Sequence, residues 1–134
     1  MIMQCKGIEM KTSIDSERAP TAIGPYSQAV QVGCTLFVSG QLPIDPTTGE
    51  FPNDTIQSQV KQCLDNLVAI LEEAGYQASD VTMVKVYLDD IYNFAEMNEI
   101  YSEYFSAPYP ARAAFEVSRL PKNALVEIEA VAVK

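Results

Sequence analysis

The chain contains no histidine among its 134 residues. That absence removes Ser-His and Cys-His nucleophile pairs, imidazole metal ligands and the commonest proton-transfer side chain at neutral pH. Cations are also scarce. Nine Lys and Arg stand against 18 Asp and Glu, a net charge of −9. Binding to a polyphosphate backbone depends on clustered Lys and Arg, so this balance opposes nucleic-acid binding. Positive charge gathers in the strip Arg112, Arg119, Lys122. No apolar run approaches the roughly 20 residues that span a bilayer, so no membrane partner is expected. Residues 1–10 hold one lysine and no long apolar block, which does not fit a secretory signal. The three cysteines, Cys5, Cys34 and Cys63, are odd in number, widely spaced and without a CxxC pair. They are expected to be reduced thiols in a cytoplasmic protein, neither a disulfide framework nor a zinc site.

What is present describes one ordinary folded unit. Hydrophobic residues make up 48% and charged residues 20%. A chain of this size buries roughly two thirds of its unfolded surface, enough for a core without disulfides or metal. Residues 1–11 carry no periodic pattern and read as a loose extension; residues 12–134 read as a single domain. Strands are predicted at Ser27–Val32, Thr35–Gln41, Val81–Leu88, Ala113–Val117 and Leu125–Val133. One helix is predicted from Asp54 or Thr55, with Asp54 as N-cap and Gln57 as its capping partner. Its apolar face is Ile56, Val60, Cys63, Leu64, Leu67, Val68, Leu71 and Ala74, and Gly75 stops it. A second helix is predicted over Tyr92–Phe105. The order ββαβαββ implies an α+β domain with a mixed sheet covered on one face by two helices.

Strand parity adds a point about assembly. Val126, Ile128, Ala130 and Ala132 form one wholly apolar face, while Leu125, Glu127, Glu129, Val131 and Val133 form the other. Two helices cover one face of a sheet. The mixed second face is therefore expected to meet another subunit, with its polar groups lining a cleft.

The segment Pro110-Ala111-Arg112-Ala113-Ala114-Phe115 followed by Val126-Glu127-Ile128-Glu129 holds the chemistry. Arg112 offers a planar fork of donors that matches a carboxylate. It reads equally as a surface arginine at a strand end, or as one paired with Glu127 or Glu129. Glu127 sits on a face too apolar to stand fully in water, where burial raises a carboxyl pKa and a neighbouring arginine lowers it. On spacing alone Tyr26 is an ordinary core aromatic, Ser39-Gly40 a turn and Asn98 a solvent-facing helix residue.

Four segments together resemble the Rid family (reactive intermediate deaminases, also called the YjgF family and the endoribonuclease L-PSP family). They are Ala-Ile-Gly-Pro-Tyr-Ser-Gln at 22–28, Val-Ser-Gly-Gln-Leu-Pro-Ile-Asp-Pro-Thr-Thr-Gly-Glu at 38–50, Val-Tyr-Leu-Asp-Asp-Ile-Tyr-Asn-Phe-Ala-Glu-Met-Asn at 86–98, and the Pro-Ala-Arg-Ala…Val-Glu-Ile pattern at 110–128. The resemblance covers residues 12–133. It implies a chorismate-mutase-like homotrimer with clefts between subunits. It also implies cofactor-free hydrolysis of 2-imino acids (2-iminobutanoate, 2-iminopropanoate and its aminoacrylate tautomer) to 2-keto acids and ammonia. By the same resemblance Arg112 binds the substrate carboxylate, Glu127 orients or activates water, and Tyr26 lies beside the substrate. Ser39, Gly40 and Asn98 line the pocket, and the main chain at Ala114 faces the imine nitrogen. Many members carry cysteine at the position of Ala114, so thiol chemistry is excluded at that point. Two other readings stand beside this one: an endoribonuclease that inhibits translation, and a non-catalytic member that binds metabolites or acts as a holdase.

Overall fold

The structure is a computed structural model and describes residues 10–134. The element order is β1 (Thr12–Ile14), β2 (Ala29–Val32), β3 (Thr35–Gln41), α1 (Ile56–Glu73), β4 (Val81–Leu88), α2 (Phe94–Tyr104), β5 (Ala111–Glu116) and β6 (Val126–Val133). The two helices pack on a six-stranded sheet of order β1-β2-β3-β6-β4-β5. Only β4 and β5 run parallel; the other neighbours are antiparallel. The last strand thus inserts between β3 and β4, and each of those two is followed by a helix.

The architecture is the expected α+β one with an additional strand. β1 has three residues and pairs with β2 through Thr12–Gln31 and Ile14–Ala29. A three-residue edge strand carries too little alternation to stand out in a sequence. Most of the extension expected at 1–11 lies outside the described residues.

Helix α1 starts one residue later than Asp54 would cap it. Thr55 is the N-cap, and its side chain accepts from the Ser58 N–H. Thr55 is itself held by Asn53, whose Oδ1 accepts from the Thr55 N–H at 2.9 Å. The expected Asp54–Gln57 box is therefore replaced by an Asn53–Thr55–Ser58 relay. Gly75, at φ +82°, ends the helix as expected. The Tyr76 N–H returns to the Leu71 carbonyl at 2.8 Å and the Gly75 N–H to Glu72 at 3.0 Å, which satisfies the last open carbonyls. Helix α2 is shorter than expected because 91–93 form a separate 3₁₀ turn. There the Asp90 carboxylate accepts from the Tyr92 N–H.

The core lies between the helices and one sheet face. Val60, Cys63, Leu64, Leu67, Ile70 and Leu71 of α1 are buried against Leu36, Val84, Val86, Ile128 and Ala132. Along β6 the residues alternate between buried and half-buried from Val126 to Ala132, as the parity argument requires. Cys63 is buried and free, whereas Cys34, beside the β2–β3 turn, is disulfide-bonded. The expectation of three reduced thiols therefore fails at Cys34.

Three buried amides fasten the loops that border the site. Gln28 accepts from the Ser16 N–H at 2.7 Å and donates to Pro20 O at 2.8 Å. Asn66 donates to Leu42 O and Ile44 O at 3.1 and 2.9 Å. Gln59 donates to Asn53 O and accepts from the Leu125 N–H. Each satisfies loop backbone that would otherwise lose its hydrogen bonds on burial. In sequence they are merely polar residues in apolar segments.

Candidate active site

Arg112 stands in β5, in register with Val84 of β4. Its Nη1 donates to Oδ1 of Asn98 at 2.7 Å. The guanidinium lies over the Tyr101 ring at 4.7 Å and the Phe94 ring at 5.4 Å. All three partners belong to α2, spaced so that they share one flank of the helix. The rings hold a cation over their electron-rich faces. The amide fixes the rotation of the fork and leaves the other N–H groups open. No Asp or Glu among the described residues forms an ion pair with Arg112; the two ion pairs present are Arg18–Glu72 and Lys61–Asp65. The alternative of an arginine paired with Glu127 or Glu129 is thus not what the fold adopts. Asn98, Tyr101, Ser102, Tyr109, Pro110 and Arg112 line an open cleft of about 450 Å³. Ala114 follows two residues later on the same face, half-buried against the core.

Glu127 lies on the other face of the sheet. It is in register with Tyr87 of β4, while Glu129 is in register with Lys85. The carboxylate rests against Gly40: a Cβ at that position would stand 2.7 Å from Oε2 of Glu127. The register of β3 against β6 shifts between Val38 and Gln41, which brings the Gly40 backbone up to the glutamate. Burial first, and the charge of Glu129 second, push the Glu127 carboxyl above its ordinary range. Gly40, Tyr87, Arg119, Pro121, Glu127 and Glu129 line an opening of about 410 Å³.

Tyr26 borders the same region from the other side. It is 53% exposed, so it is not a core aromatic. It shares a cleft of about 310 Å³ with Gly40, Leu42, Ile44, Pro121 and Lys122. Ser39 ties the Tyr26 loop to the sheet: its Oγ donates to Ser27 O at 2.6 Å and its N–H to Gln28 O at 2.9 Å.

The expected site residues therefore fall into two groups. Arg112 and Asn98 meet, with Ala114 beside them on the helix-covered face at the β5 edge. Tyr26, Ser39, Gly40 and Glu127 gather toward the open face. One chain does not bring the two groups together. The sequence reading missed Tyr101 and Phe94 as braces for Arg112, and Tyr87 as the donor to Glu129. The spacing of Phe94, Asn98 and Tyr101 along one helix was the available signal for the first two.

Comparisons with known proteins agree with this fold over nearly its whole length. The endoribonuclease L-PSP family profile matches residues 16–134. The chain is 57% identical over 125 residues to a RutC family protein of Pyrococcus horikoshii, covering 93% of this chain and 99% of that one. A Thermotoga maritima crystal structure, described as a candidate endoribonuclease, superposes with a TM-score of 0.91 at 50% identity, over 93% of this chain and 98% of the other. Escherichia coli TdcF, named as a candidate reactive intermediate deaminase, is 44% identical over 128 residues, 93% of this chain and 98% of its own. Its crystal structure with bound serine gives a TM-score of 0.88 over 92% and 98% of the two chains. The chain belongs to the endoribonuclease L-PSP family, the YjgF/Rid family.

Proposed function

We propose that the protein hydrolyses 2-imino acids, 2-iminobutanoate and 2-iminopropanoate (with its 2-aminoacrylate tautomer), to the 2-keto acid and ammonia. The observation that carries this reading is Arg112: an arginine braced by Asn98 and Tyr101, facing a cleft, with no carboxylate partner among the described residues. In a chain with twice as many acids as bases, such a fork suits a ligand carboxylate. The pairing is worth about 1.5–3 kcal/mol. Serine, present in the TdcF crystal structure, carries such a carboxylate. The names of the relatives support a deaminase role in general.

In this reading water adds to the iminium carbon and the C–N bond then breaks, so the nitrogen leaves as ammonia and the carbonyl forms. Glu127 takes a proton from the attacking water and returns it to the nitrogen. A carboxyl lifted above its ordinary range is a stronger base for that exchange than an ordinary one. Tyr26 and the Ser39-Gly40 backbone border the substrate. Ala114 supplies no thiol, and the reaction asks for none because the iminium carbon is already electrophilic.

The two groups of residues meet when a second copy brings its open sheet face to the Arg112 edge. Phe37 and Phe115 are 50% and 45% exposed in the single chain, an apolar surface suited to such an interface. The assembly we propose is a homotrimer with a cleft at each subunit boundary. Among the described residues no helix is long and apolar enough to cross a membrane.

The test couples purified protein to a threonine dehydratase and threonine, with semicarbazide trapping free imine. Trapping falls in the presence of the protein and not with Arg112→Ala. Unchanged trapping with both 2-iminobutanoate and 2-iminopropanoate overturns the proposal. Binding without turnover then favours a metabolite-binding member. RNA cleavage that survives Arg112→Ala favours the endoribonuclease reading.

A further inference from the structure

Tyr87 plays no part in the reaction as described above, yet it lines the same opening as the two carboxylates of the open face. It lies directly opposite Glu127 in the antiparallel register, and its hydroxyl donates to Oε1 of Glu129. Phe115 packs edge-on against its ring, with centroids 5.3 Å apart and planes at 79°. The ring is therefore fixed from the β5 side and the hydroxyl from β6. Glu127 and Glu129 point from the same face two residues apart, near enough to share a proton if both side chains were free.

We propose that Tyr87 is a positioning residue for Glu127, acting through Glu129: its hydroxyl holds the second carboxylate away from the first, so that Glu127 alone meets the water. The inference rests on the reading of Glu127 as the carboxylate that orients water. The hydrogen bond to Glu129, and after it burial, push the Tyr87 hydroxyl up to about 12, so it stays a donor throughout the working range. Glu129 meanwhile remains near enough for its charge to raise Glu127.

The charged and titratable surroundings of the pair can be named. Strand β4 presents Tyr87 and, opposite Glu129, Lys85. Arg119, past the end of β5, lines the same opening. Helix α1 presents Cys63 from beneath the sheet, its thiol pushed up by burial and by Glu127. Strand β3 brings no charge, only Ser39 and Gly40. Neither Lys85 nor Arg119 forms an ion pair with the two glutamates, since the ion pairs among the described residues lie elsewhere. Within the single chain Tyr87 is thus the group that fixes which way Glu129 points.

The experiment is a double-mutant cycle read as the pH dependence of kcat/KM for 2-iminobutanoate. Tyr87→Phe keeps the ring and its packing on Phe115. It frees Glu129 to share a proton with Glu127, so the acid limb moves to higher pH and kcat falls about tenfold with KM held by Arg112. Glu129→Gln removes the neighbouring charge, so the limb moves to lower pH. In the Glu129→Gln background the Tyr87→Phe change has no further effect on the limb. An equal Tyr87→Phe shift with and without Glu129, or none in either, overturns the proposal. Carbon-13 NMR of the Glu127 carboxyl gives the same cycle without substrate. A wild-type protein that turns over no imine thus defeats the proposed function while the Tyr87 inference is still decided by titration.

Discussion

Arg112 and Glu127 stand on opposite faces of one sheet, Arg112 in register with Val84 and Glu127 with Tyr87. Side chains alternate across a strand, so the three-residue step between Val84 and Tyr87 on β4 reverses the face. No rotamer change brings the arginine and the glutamate to one small substrate within a chain. The relationship is what makes the proposed active site a property of the assembly, and it has a direct test.

Arg112→Ala and Glu127→Gln proteins should each be inactive alone and active when mixed by co-refolding. A cleft built from the Arg112 of one copy and the Glu127 of the next is intact in about one case in four of a random mixture. Recovery of about a quarter of the wild-type rate in the imine assay is expected. Activity no higher than that of the two separate proteins means that both groups act within one chain.

Arg112→Lys keeps the charge and loses the fork. The guanidinium donates to Asn98 and lies over the Tyr101 ring while keeping further donors for a ligand, and a single ammonium cannot present the same fork. We expect kcat/KM to fall by about 10- to 100-fold, the equivalent of roughly 1.5–3 kcal/mol. Asn98→Ala leaves the fork in place and removes its brace, so KM should rise more than kcat falls. A fall confined to kcat in Asn98→Ala assigns the amide to chemistry and not to holding the arginine.

Gly40→Ala tests the contact beneath Glu127. The backbone at Gly40 lies outside the left-handed region, and the added Cβ meets the mobile end of a side chain. The fold should therefore persist, with Tm close to that of the wild type. The carboxylate must move, and kcat should drop by at least about tenfold, since small displacements of a reacting group are costly. An unchanged kcat shows that Glu127 does its work from a different position.

Glu127→Gln should abolish turnover and stabilise the fold. Burial holds the Glu127 carboxyl above its ordinary range in the folded chain, so the folded state keeps this proton to higher pH than the unfolded chain does. The contribution to stability is accordingly lost as pH rises through the raised value. Above that raised value the ionised side chain is a net cost that the amide removes, and Tm should rise there. The wild-type enzyme should lose activity as pH falls through the same raised value, because the base becomes protonated. Thermal melts and rate profiles across the acid range check both.

Part of this protein is decided by its residues alone. The period of Val60, Leu64, Leu67 and Leu71 fixes a helix, and Gly75 ends it because the next turn needs a positive φ. The alternation in Val126-Glu127-Ile128-Glu129 fixes a strand with one face for the core and one for something else. Those are local rules, and each acts within a few residues. The four family segments are also read directly from the chain, as is the absence of histidine. The tertiary structure decided the remainder. Register set Arg112 and Glu127 on opposite faces, and a shift between Val38 and Gln41 brought Gly40 under the glutamate. A helix at the sheet edge turned Asn98 from a solvent-facing residue into the brace for Arg112. Tyr26 left the core because Gln28 and Ser39 hold its loop outside. Each of these depends on which distant strands pair and in what register. Pairing energy spreads over the whole sheet, so a short segment carries no trace of it.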